Sequence, residues 1–537
     1  MPAPSPSAAD VLARRLYEAG CRHAFGMPGG EVLTIVDALT RAGIEMILAK
    51  HENAAAFMAE GVYHRTGVPG ILVATVGPGA LNGVNAVANA HQDRVPLIVL
   101  TGCVDPWEAQ TYTHQVLDQR AVFAPIVKAG FTFDAKAAHV IADKAVAIAT
   151  EGRPGPVHID LPITAVTEAV TAPAPSRRAP ATPTVPAKEP LEQARQWLTR
   201  AKRPLIIAGV DAMTDGLDLA PIAHLLNAPV ITTYKAKGLL PEDDPLALGG
   251  AGLSPKADKI LLPLIAQADV VLCLGYDPIE MRTGWRDVFD PKGQHVIDVT
   301  AEPNHHYMHQ AGLNIIGSIA ATASVLTDSL PPPNGWPEAE LSAARAALAE
   351  AFPKDEDWGP AAIIDTCQQA LPRNVLATAD SGAHRILLSQ MWECYEPRAL
   401  TQSSALCTMG CALPLAIGTE IAEPDRTVVS FLGDAGFLMV TGELATAAER
   451  KLKTIFVVFV DASLALIELK QRQRQLPNSF VDFDAPDVAA IGRAFGGEGH
   501  TVQSRETLKA ALKQAQEANT FTVIGCVIER ESYDGRL

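Results

Sequence analysis

The sequence predicts an α/β protein built from three doubly wound domains, each around a parallel sheet. Its length of 537 residues corresponds to three or four domains at roughly 150 residues each. Short apolar runs alternate with helix-length amphipathic segments, which is typical of parallel strands that helices cover on both faces. Hydrophobic residues make up 48% of the chain and charged residues 19%, a balance that favours well-buried cores over disorder.

Two breaks divide the predicted strands into three sets. We place an N-terminal domain at 1–170, a proline-rich linker at 171–190, a central domain at 191–330, a second linker at 331–345 and a C-terminal domain at 346–537. Proline-rich stretches favour extended connectors and cannot build a core. The predicted strands are Ile71–Val76, Val95–Leu100 and Pro156–Leu161; then Pro204–Gly209, Pro229–Thr233, Val270–Leu274 and Val296–Val299; then Asn374–Thr378, Val428–Leu432, Ile455–Val460 and Phe521–Ile528.

Charge and composition exclude several classes of function. The net charge of −16 repels phosphate backbones and anionic lipid surfaces, so we expect neither nucleic-acid nor membrane binding. The start of the sequence lacks the basic and apolar regions of a signal peptide, and no run of about 18 apolar residues occurs. The eight cysteines form no C-x-x-C pair, which favours a reducing compartment. We therefore expect a cytoplasmic enzyme that acts on small molecules.

Two acidic residues follow neighbouring predicted strands of the C-terminal domain. Gly433-Asp434-Ala435-Gly436 ends one strand and opens a helix, and Asp461 ends the next strand, 27 residues further on. Carboxylates at adjacent strand ends beside a helix amino-terminus suit a metal ion held against a phosphate. A G-D-x-G turn alone is weak evidence, because Asp and Gly are common turn residues.

With this spacing, the segment resembles the signature of the thiamine diphosphate-dependent enzymes, which is Gly-Asp-Gly followed by an Asn pair. The resemblance implies three domains, as in the 2-oxo-acid decarboxylases and synthases of that family. The first binds the aminopyrimidine, the second is central, and the third binds the diphosphate. It implies that Asp434, Asp461 and the main-chain carbonyl of Ser463 hold Mg²⁺ against the cofactor diphosphate. Asp461 stands where the family commonly has Asn, and a carboxylate is still a hard oxygen ligand suited to Mg²⁺.

Three further segments are similar to the same family. Lys50–Tyr63 matches the pattern R-H-E-x-x-A-x-x-M-A-x-G-Y, so the resemblance makes Glu52 the residue that meets N1′ of the aminopyrimidine. Ser404–Gly418 resembles G-T-M-G-x-x-L-P-A-A-I-G, which makes Met409 the apolar wedge that bends the cofactor and assigns the Cys407 carbonyl to its 4′-amino group. Asp380–His384 resembles a second diphosphate cradle, formed here by Gly382, Ala383 and His384. Outside this resemblance, Met409 is more often a core residue and Cys407 more often a buried hydrophobic residue than a ligand contact.

The chain around the predicted substrate site resembles acetolactate synthase catalytic subunits. Within that resemblance, Gln115 and Lys128 match an active-site Gln and Lys, and His114 replaces a common Phe. His114 either assists proton transfer or only packs beside the site. The resemblance implies decarboxylation of a 2-oxo acid such as pyruvate and addition of the resulting enamine to a second carbonyl.

Two other functions stay open. The first is a 2-oxo-acid decarboxylase or C–C lyase with the same cofactor, although the adjacent His pair of pyruvate decarboxylases is absent. The second is a non-catalytic relative acting as a binding or regulatory subunit. Gly275–Arg282 lacks the first Arg of the motif G-A-R-F-D-D-R, which argues against FAD. In this family the Glu of one chain reaches cofactor held by another, so the resemblance implies a homodimer or homotetramer.

A histidine cluster lies outside these motifs, at His305, His306 and His309. A helix would place residues i and i+4 on one face, a spacing that suits a transition metal. No Cys or carboxylate in the sequence obviously completes such a site, so we expect a polar surface helix here. The basic run Lys470–Arg474 is too short to form a nucleic-acid surface and is expected on a helix near the mouth of the active site.

Overall fold

The computed structural model describes residues 5–171, 173–176, 178–179, 181–182, 184–279, 281–290 and 292–537. Four positions of the predicted first linker, 172, 177, 180 and 183, lie outside the described residues. Within the described residues the strands form three parallel sheets of six strands each. The α/β fold of three parallel-sheet units predicted from the sequence is therefore confirmed. No helix among the described residues is long and apolar enough to cross a membrane.

The first sheet has the strand order β2-β1-β3-β4-β6-β5. Its strands are β1 (His23–Met27), β2 (Glu45–Leu48), β3 (Gly70–Ala74), β4 (Leu97–Cys103), β5 (Ala129–Thr132) and β6 (Val157–Pro162). The helices around it are α1 (Ala8–Glu18), α2 (Leu33–Ala42), α3 (Glu52–Thr66), α4 (Pro78–Asn82), α5 (Val84–Gln92), α6 (Gln119–Phe123), α7 (Ala138–Thr150) and α8 (Ile163–Thr167).

The central sheet has the order β12-β11-β10-β7-β8-β9, which is the doubly wound order 3-2-1-4-5-6 when read from β9. Its strands are β7 (Pro204–Ala208), β8 (Val230–Thr233), β9 (Ala247–Ala251), β10 (Val270–Leu274), β11 (His295–Thr300) and β12 (Leu313–Ile316). Its helices are α9 (Lys188–Arg200), α10 (Val210–Thr214), α11 (Ala220–Leu226), α12 (Pro255–Gln267) and α13 (Ile319–Thr327).

The third sheet has the order β14-β13-β15-β16-β18-β17, which repeats the topology of the first sheet strand for strand. Its strands are β13 (Leu376–Ala379), β14 (Leu400–Gln402), β15 (Val428–Gly433), β16 (Ile455–Val460), β17 (Glu498–Val502) and β18 (Thr522–Val527). Its helices are α14 (Glu338–Ala351), α15 (Pro360–Ala370), α16 (Ala383–Met391), α17 (Ala412–Ala422), α18 (Asp434–Val440), α19 (Glu443–Glu449), α20 (Ala465–Gln473), α21 (Val488–Ala494) and α22 (Arg505–Glu517).

Two helices begin inside segments that the sequence analysis assigned to linkers. Helix α9 begins at Lys188 and includes Pro190 in its first turn. Proline is tolerated there because the first N–H groups of a helix have no partner within the helix. Helix α14 begins at Glu338, directly after Pro337, and carries Glu338 and Glu340 in its first turn. Acidic residues at that end are favourable because they face the positive end of the helix dipole.

Helices α3 and α17 join the N-terminal and C-terminal domains. Helix α3 is buried on all sides from Ala54 to His64, and its apolar side chains share one core with those of α17. The two helices approach closely at Gly61 and Gly418, because a Cβ on Gly418 would lie 2.0 Å from the carbonyl oxygen of Met58. Glycine at both positions therefore allows the two backbones to touch.

We expect Gly418→Ala to destabilise the protein. The added methyl group would force α3 and α17 apart, and overpacking of this kind typically costs about 1–3 kcal/mol. Thermal unfolding measures the change. Gly284→Ala is the matched control, since a Cβ there meets nothing within 4 Å. Equal unfolding temperatures for the two variants would contradict the importance of this contact.

Candidate active site

A cavity of about 250 Å³ lies at the carboxyl ends of β13, β15 and β16, which are neighbours in the third sheet. The crevice at the carboxyl ends of parallel strands is the usual ligand site of open α/β sheets. Its lining includes every residue that the family resemblance assigned to cofactor or metal, except Glu52. These residues are Gly382, Ala383, His384, Cys407, Met409, Gly433, Asp434, Ala435, Gly436, Asp461 and Ser463.

Two helix amino-termini face the cavity. Helix α16 begins at Ala383 after Gly382, and α18 begins at Asp434 after Gly433. The first N–H groups of a helix lack partners within the helix and attract anions. Gly436 is required by packing, because a Cβ there would lie 1.9 Å from Oδ2 of Asp380. The arrangement suits a phosphate-bearing ligand.

Asp434 and Asp461 bring two carboxylates to the same cavity. The main-chain N–H groups of Ala435 and Ala462 donate to Asp434 at 2.8 and 2.7 Å, and that of Ser463 donates to Asp461 at 3.1 Å. Burial raises the pKa of Asp434. Burial, together with the charge of Asp434, raises the pKa of Asp461 to about 7. A bound cation would offset both effects, because it favours the ionised carboxylates.

His384 lines the cavity. Among the described residues, its buried Nε2 has no hydrogen-bond partner. Burial and the neighbouring charge of Arg385 lower its pKa to about 3, so the ring is neutral at ordinary pH. The ring stacks on Phe459, with centroids 5.2 Å apart. A buried polar atom without a partner is costly.

The loop of residues 403–411, which carries Cys407 and Met409, is held by all three domains. Asp380 accepts hydrogen bonds from the N–H groups of Gly410 and Cys411 at 2.9 Å. From the N-terminal domain, Asp93 accepts from the N–H groups of Ser404 and Ala405. From the central domain, Nζ of Lys235 lies 3.0 Å from Asp93. These contacts fix the loop at the edge of the cavity.

Glu52 lies apart from this cavity in the chain as described. It is the first residue of α3 and is 4% exposed. Nδ2 of Asn82 donates to its Oε2 at 2.9 Å. A Cβ on Gly79 would lie 3.0 Å from its Oε1, so the Gly77–Asn82 turn leaves room for this carboxylate. The structure thus holds Glu52 in one orientation within the N-terminal domain.

The other predicted catalytic residues lie at opposite ends of the first sheet. His114 and Gln115 are exposed in the loop that follows the carboxyl end of β4. Gln115 has a φ of 58°, and its carbonyl oxygen would lie 2.9 Å from a Cβ on Gly77. Lys128 precedes β5 at the amino end of the sheet, and its Nζ donates to the Glu151 carbonyl at 2.6 Å. The structure does not bring Lys128 together with Gln115.

Several residues that line the cavity were not predicted from the sequence. These include Phe459 on β16, residues at the start of α20 and Tyr533 near the end of the chain. Tyr533 is buried, and the charges of Asp461 and Asp434 add to burial in raising its pKa. The adjacent Asp534 accepts two hydrogen bonds of 2.6 Å from Arg472 on α20. The basic run Lys470–Arg474 was the one signal in the sequence for this segment, because its Arg472 pairs with Asp534.

The fold and this cavity suit an enzyme with a phosphate-bearing cofactor. Comparison with known proteins shows the family. Residues 6–122, 191–326 and 380–526 match the N-terminal TPP binding domain, the central domain and the C-terminal TPP binding domain of thiamine pyrophosphate enzymes. The chain belongs to this thiamine pyrophosphate (thiamine diphosphate) enzyme family and is a cofactor-dependent enzyme of the acetolactate synthase-like type.

Individual relatives are similar along nearly the whole chain. The acetolactate synthase of Bacillus subtilis is 31% identical, with 97% of this chain and 93% of the relative covered. The acetolactate synthase isozyme 1 large subunit of Escherichia coli is also 31% identical, over 86% of this chain and 83% of the relative. The probable 2-ketoarginine decarboxylase of Pseudomonas aeruginosa is 29% identical, over 96% and 93%.

Proposed function

We propose that the protein is a thiamine diphosphate- and Mg²⁺-dependent 2-oxo-acid carboligase of the acetolactate synthase type. It removes CO₂ from a 2-oxo acid such as pyruvate and joins the remaining acyl unit to a second carbonyl compound. The observation that carries the proposal is the pair of buried carboxylates, Asp434 and Asp461, beside two helix amino-termini in one cavity. The acetolactate synthases among the relatives support the choice of reaction.

The residues of the cavity fit the cofactor and its metal. The amino-termini at Ala383 and Asp434 supply main-chain N–H groups for a diphosphate. Asp434, Asp461 and the carbonyl of Ser463 supply oxygen ligands for Mg²⁺, which prefers such ligands. His384 Nε2, which has no partner among the described residues, adds a polar contact beside the phosphates.

Other residues contact the rings of the cofactor, where the reaction takes place. When bound, the cofactor supplies the carbanion-stabilising centre on which a 2-oxo acid loses CO₂. Met409 positions the cofactor rings, and the Cys407 carbonyl, in a residue whose φ is 51°, accepts from the amino group of the pyrimidine ring. Glu52 holds a proton at N1′ of that ring. Gln115 and His114, exposed beside the Gly77 turn, are placed to contact the substrate.

We propose that the active unit is a homodimer or a homotetramer, with Glu52 of one chain serving the cofactor held by another. Two observations support this. The cavity at Asp434 has no lining from Glu52 of its own chain among the described residues. Glu52 is also buried, and the hydrogen bond from Asn82 holds its carboxylate within the N-terminal domain.

A 2-oxo-acid decarboxylase or C–C lyase is the second candidate. It is favoured by the probable 2-ketoarginine decarboxylase, which at 29% identity is nearly as similar as the acetolactate synthases. A non-catalytic relative is disfavoured, because neither folding nor diphosphate binding requires a buried carboxylate at Glu52.

Product analysis separates these candidates. Purified protein with thiamine diphosphate and Mg²⁺ is offered pyruvate and a panel of other 2-oxo acids, while CO₂ release and products are recorded. We expect acetolactate or another acyloin. Free aldehyde as the sole product would replace the carboligase with the decarboxylase. Absence of CO₂ from every acid would leave a lyase or a non-catalytic relative.

Replacing Asp434 tests the metal site. We expect Asp434→Ala to abolish Mg²⁺-dependent retention of thiamine diphosphate, because the metal loses a charged ligand and the diphosphate loses its bridge. Retention after gel filtration, with and without a chelator, measures this. Asp425→Ala, a substitution of an exposed carboxylate, is the matched control. Normal cofactor retention by Asp434→Ala would remove this residue from the site.

Replacing Glu52 tests its proposed role, which is to hold a proton at N1′ of the pyrimidine ring. We expect Glu52→Gln to bind thiamine diphosphate normally and to lose about a hundredfold or more in kcat, the usual scale for a missing acid–base group. Glu420→Gln, which changes another buried carboxyl group hydrogen-bonded to Thr454, is the control.

The same two variants test whether the site is shared. Chains carrying Glu52→Gln and chains carrying Asp434→Ala are co-expressed with different tags, and the mixed oligomer is purified. If sites are shared, half of the sites in a mixed dimer are intact and activity returns. If each site is built from one chain, every site is damaged and the mixture stays inactive.

A further inference from the structure

The histidine cluster of the central domain does not lie on a surface helix. Residues 301–312 form a loop between β11 and β12, with no helix. His309 is 7% exposed, and its ring stacks on that of Tyr276, with centroids 5.2 Å apart. The expectation of a polar surface helix was wrong, because the loop turns inward and packs over the carboxyl end of the central sheet.

His309 lies beside a cysteine and a carboxylate of the central sheet. Cys273 on β10 and Asp298 on β11 are direct partners in the parallel register, so their side chains lie on the same face of the sheet. Ligand atoms of Cys273, Asp298 and His309 all lie within 4.8 Å of one another, and all three residues are buried. The sequence could not show this, because Cys273 and His309 are 36 positions apart in the chain.

Two polar atoms of this cluster have no partner. Among the described residues, neither Oδ1 of Asp298 nor Nδ1 of His309 makes a hydrogen bond, although both are buried. Buried polar atoms without partners are rare in folded proteins, and each costs about 1–3 kcal/mol. A metal ion bound by both oxygens of the Asp298 carboxylate would give Oδ1 a partner, whereas Nδ1 of His309 points away from Nε2 on the other side of the ring.

The spacing suits a metal ion. Nε2 of His309 lies 3.3 Å from Oδ2 of Asp298, which is long for a charge-assisted hydrogen bond. Metal–ligand distances of about 2.0–2.2 Å in a tetrahedral zinc site place neighbouring ligand atoms about 3.3–3.5 Å apart. The same pair of atoms therefore matches one edge of such a site.

We propose that Cys273, Asp298 and His309 form a binding site for a transition-metal ion, with Zn²⁺ as the best match. Thiolate, imidazole and carboxylate together are ligands for zinc rather than for Mg²⁺ or Ca²⁺. Binding replaces the thiol proton of Cys273, which passes to solvent. With three protein ligands, the fourth position falls to a water molecule.

The site has a structural consequence for the junction of two domains. Asn304, in the same loop, donates to Oδ2 of Asp298 at 2.8 Å and accepts from Arg153 of the N-terminal domain at 2.6 Å. A metal at Asp298 would fix the loop to β10 and β11 and, through Asn304, would hold Arg153. The site thus lies in a different domain from the cofactor cavity, and its test is independent of the proposed function.

Metal binding to the full-length protein tests the proposal. Protein freed of metal by a chelator is titrated with Zn²⁺ against a chromophoric competitor, in excess Mg²⁺ so that the cavity carboxylates are occupied. We expect one Zn²⁺ per chain, and a raised unfolding temperature because the ion binds only the folded state. With Co²⁺ in place of Zn²⁺, we expect a thiolate-to-metal charge-transfer band.

Variants identify the ligands. Cys273→Ser and Asp298→Asn should lower Zn²⁺ affinity by about a hundredfold or more, and Asn304→Ala by about ten- to a hundredfold as a supporting contact. Cys367→Ser, at another buried free cysteine, and Asp434→Ala should bind Zn²⁺ as the unaltered protein does. Circular dichroism verifies that each variant is folded.

Three results would overturn the proposal. One is an unaltered protein that binds no Zn²⁺ at micromolar concentration. Another is a Co²⁺ complex without a thiolate band, which needs no variant and so does not depend on their folding. The last is Zn²⁺ binding that survives in Cys273→Ser but is lost in Asp434→Ala.

Discussion

The contact between α3 and α17 fixes, within one chain, where Glu52 lies relative to the loop that carries Cys407 and Met409. Glu52 begins α3, and the loop with Cys407 and Met409 leads directly into α17, so the crossing of these helices fixes both groups. Gly61 and Gly418 make the contact possible, because any side chain there would collide with backbone atoms of the other helix. Close packing of this kind transmits small displacements rather than absorbing them. Asp93, Lys235 and Asp380 then hold the loop against all three domains.

Burying two carboxylates in the cavity costs free energy, and a bound ligand can offset that cost. Asp434 and Asp461 lie buried together, and their raised pKa values express how strongly the folded chain resists two negative charges there. The helix amino-termini beside them attract negative charge instead. A dianionic group bridged by a divalent cation, as we propose, would meet both requirements at once.

Sequence patterns predicted eleven of the eighteen strands among the described residues and missed β1, β2, β5, β9, β12, β14 and β17. They also predicted that Asp434 and Asp461 meet, because carboxyl ends of neighbouring parallel strands share one edge of a sheet. They failed where position depends on long-range packing. Lys128 precedes its strand and so lies at the far edge of the first sheet, although it is only 13 positions from Gln115. His309 is buried by a loop whose path no local pattern records. Tyr533 follows the last strand, where the sequence offers no periodicity. The identical strand order of the first and third sheets was also invisible, since it is a property of pairing and not of composition.

Tyr533 makes the cavity depend on contacts between distant parts of the chain. It lies in the wall of the cavity, and the adjacent Asp534 ties the segment after β18 to α20. The cavity is therefore complete only when that segment has docked, although the segment supplies no anion-binding helix end. A ligand that binds only the complete cavity would stabilise the docked segment as well, because binding and docking are then thermodynamically linked.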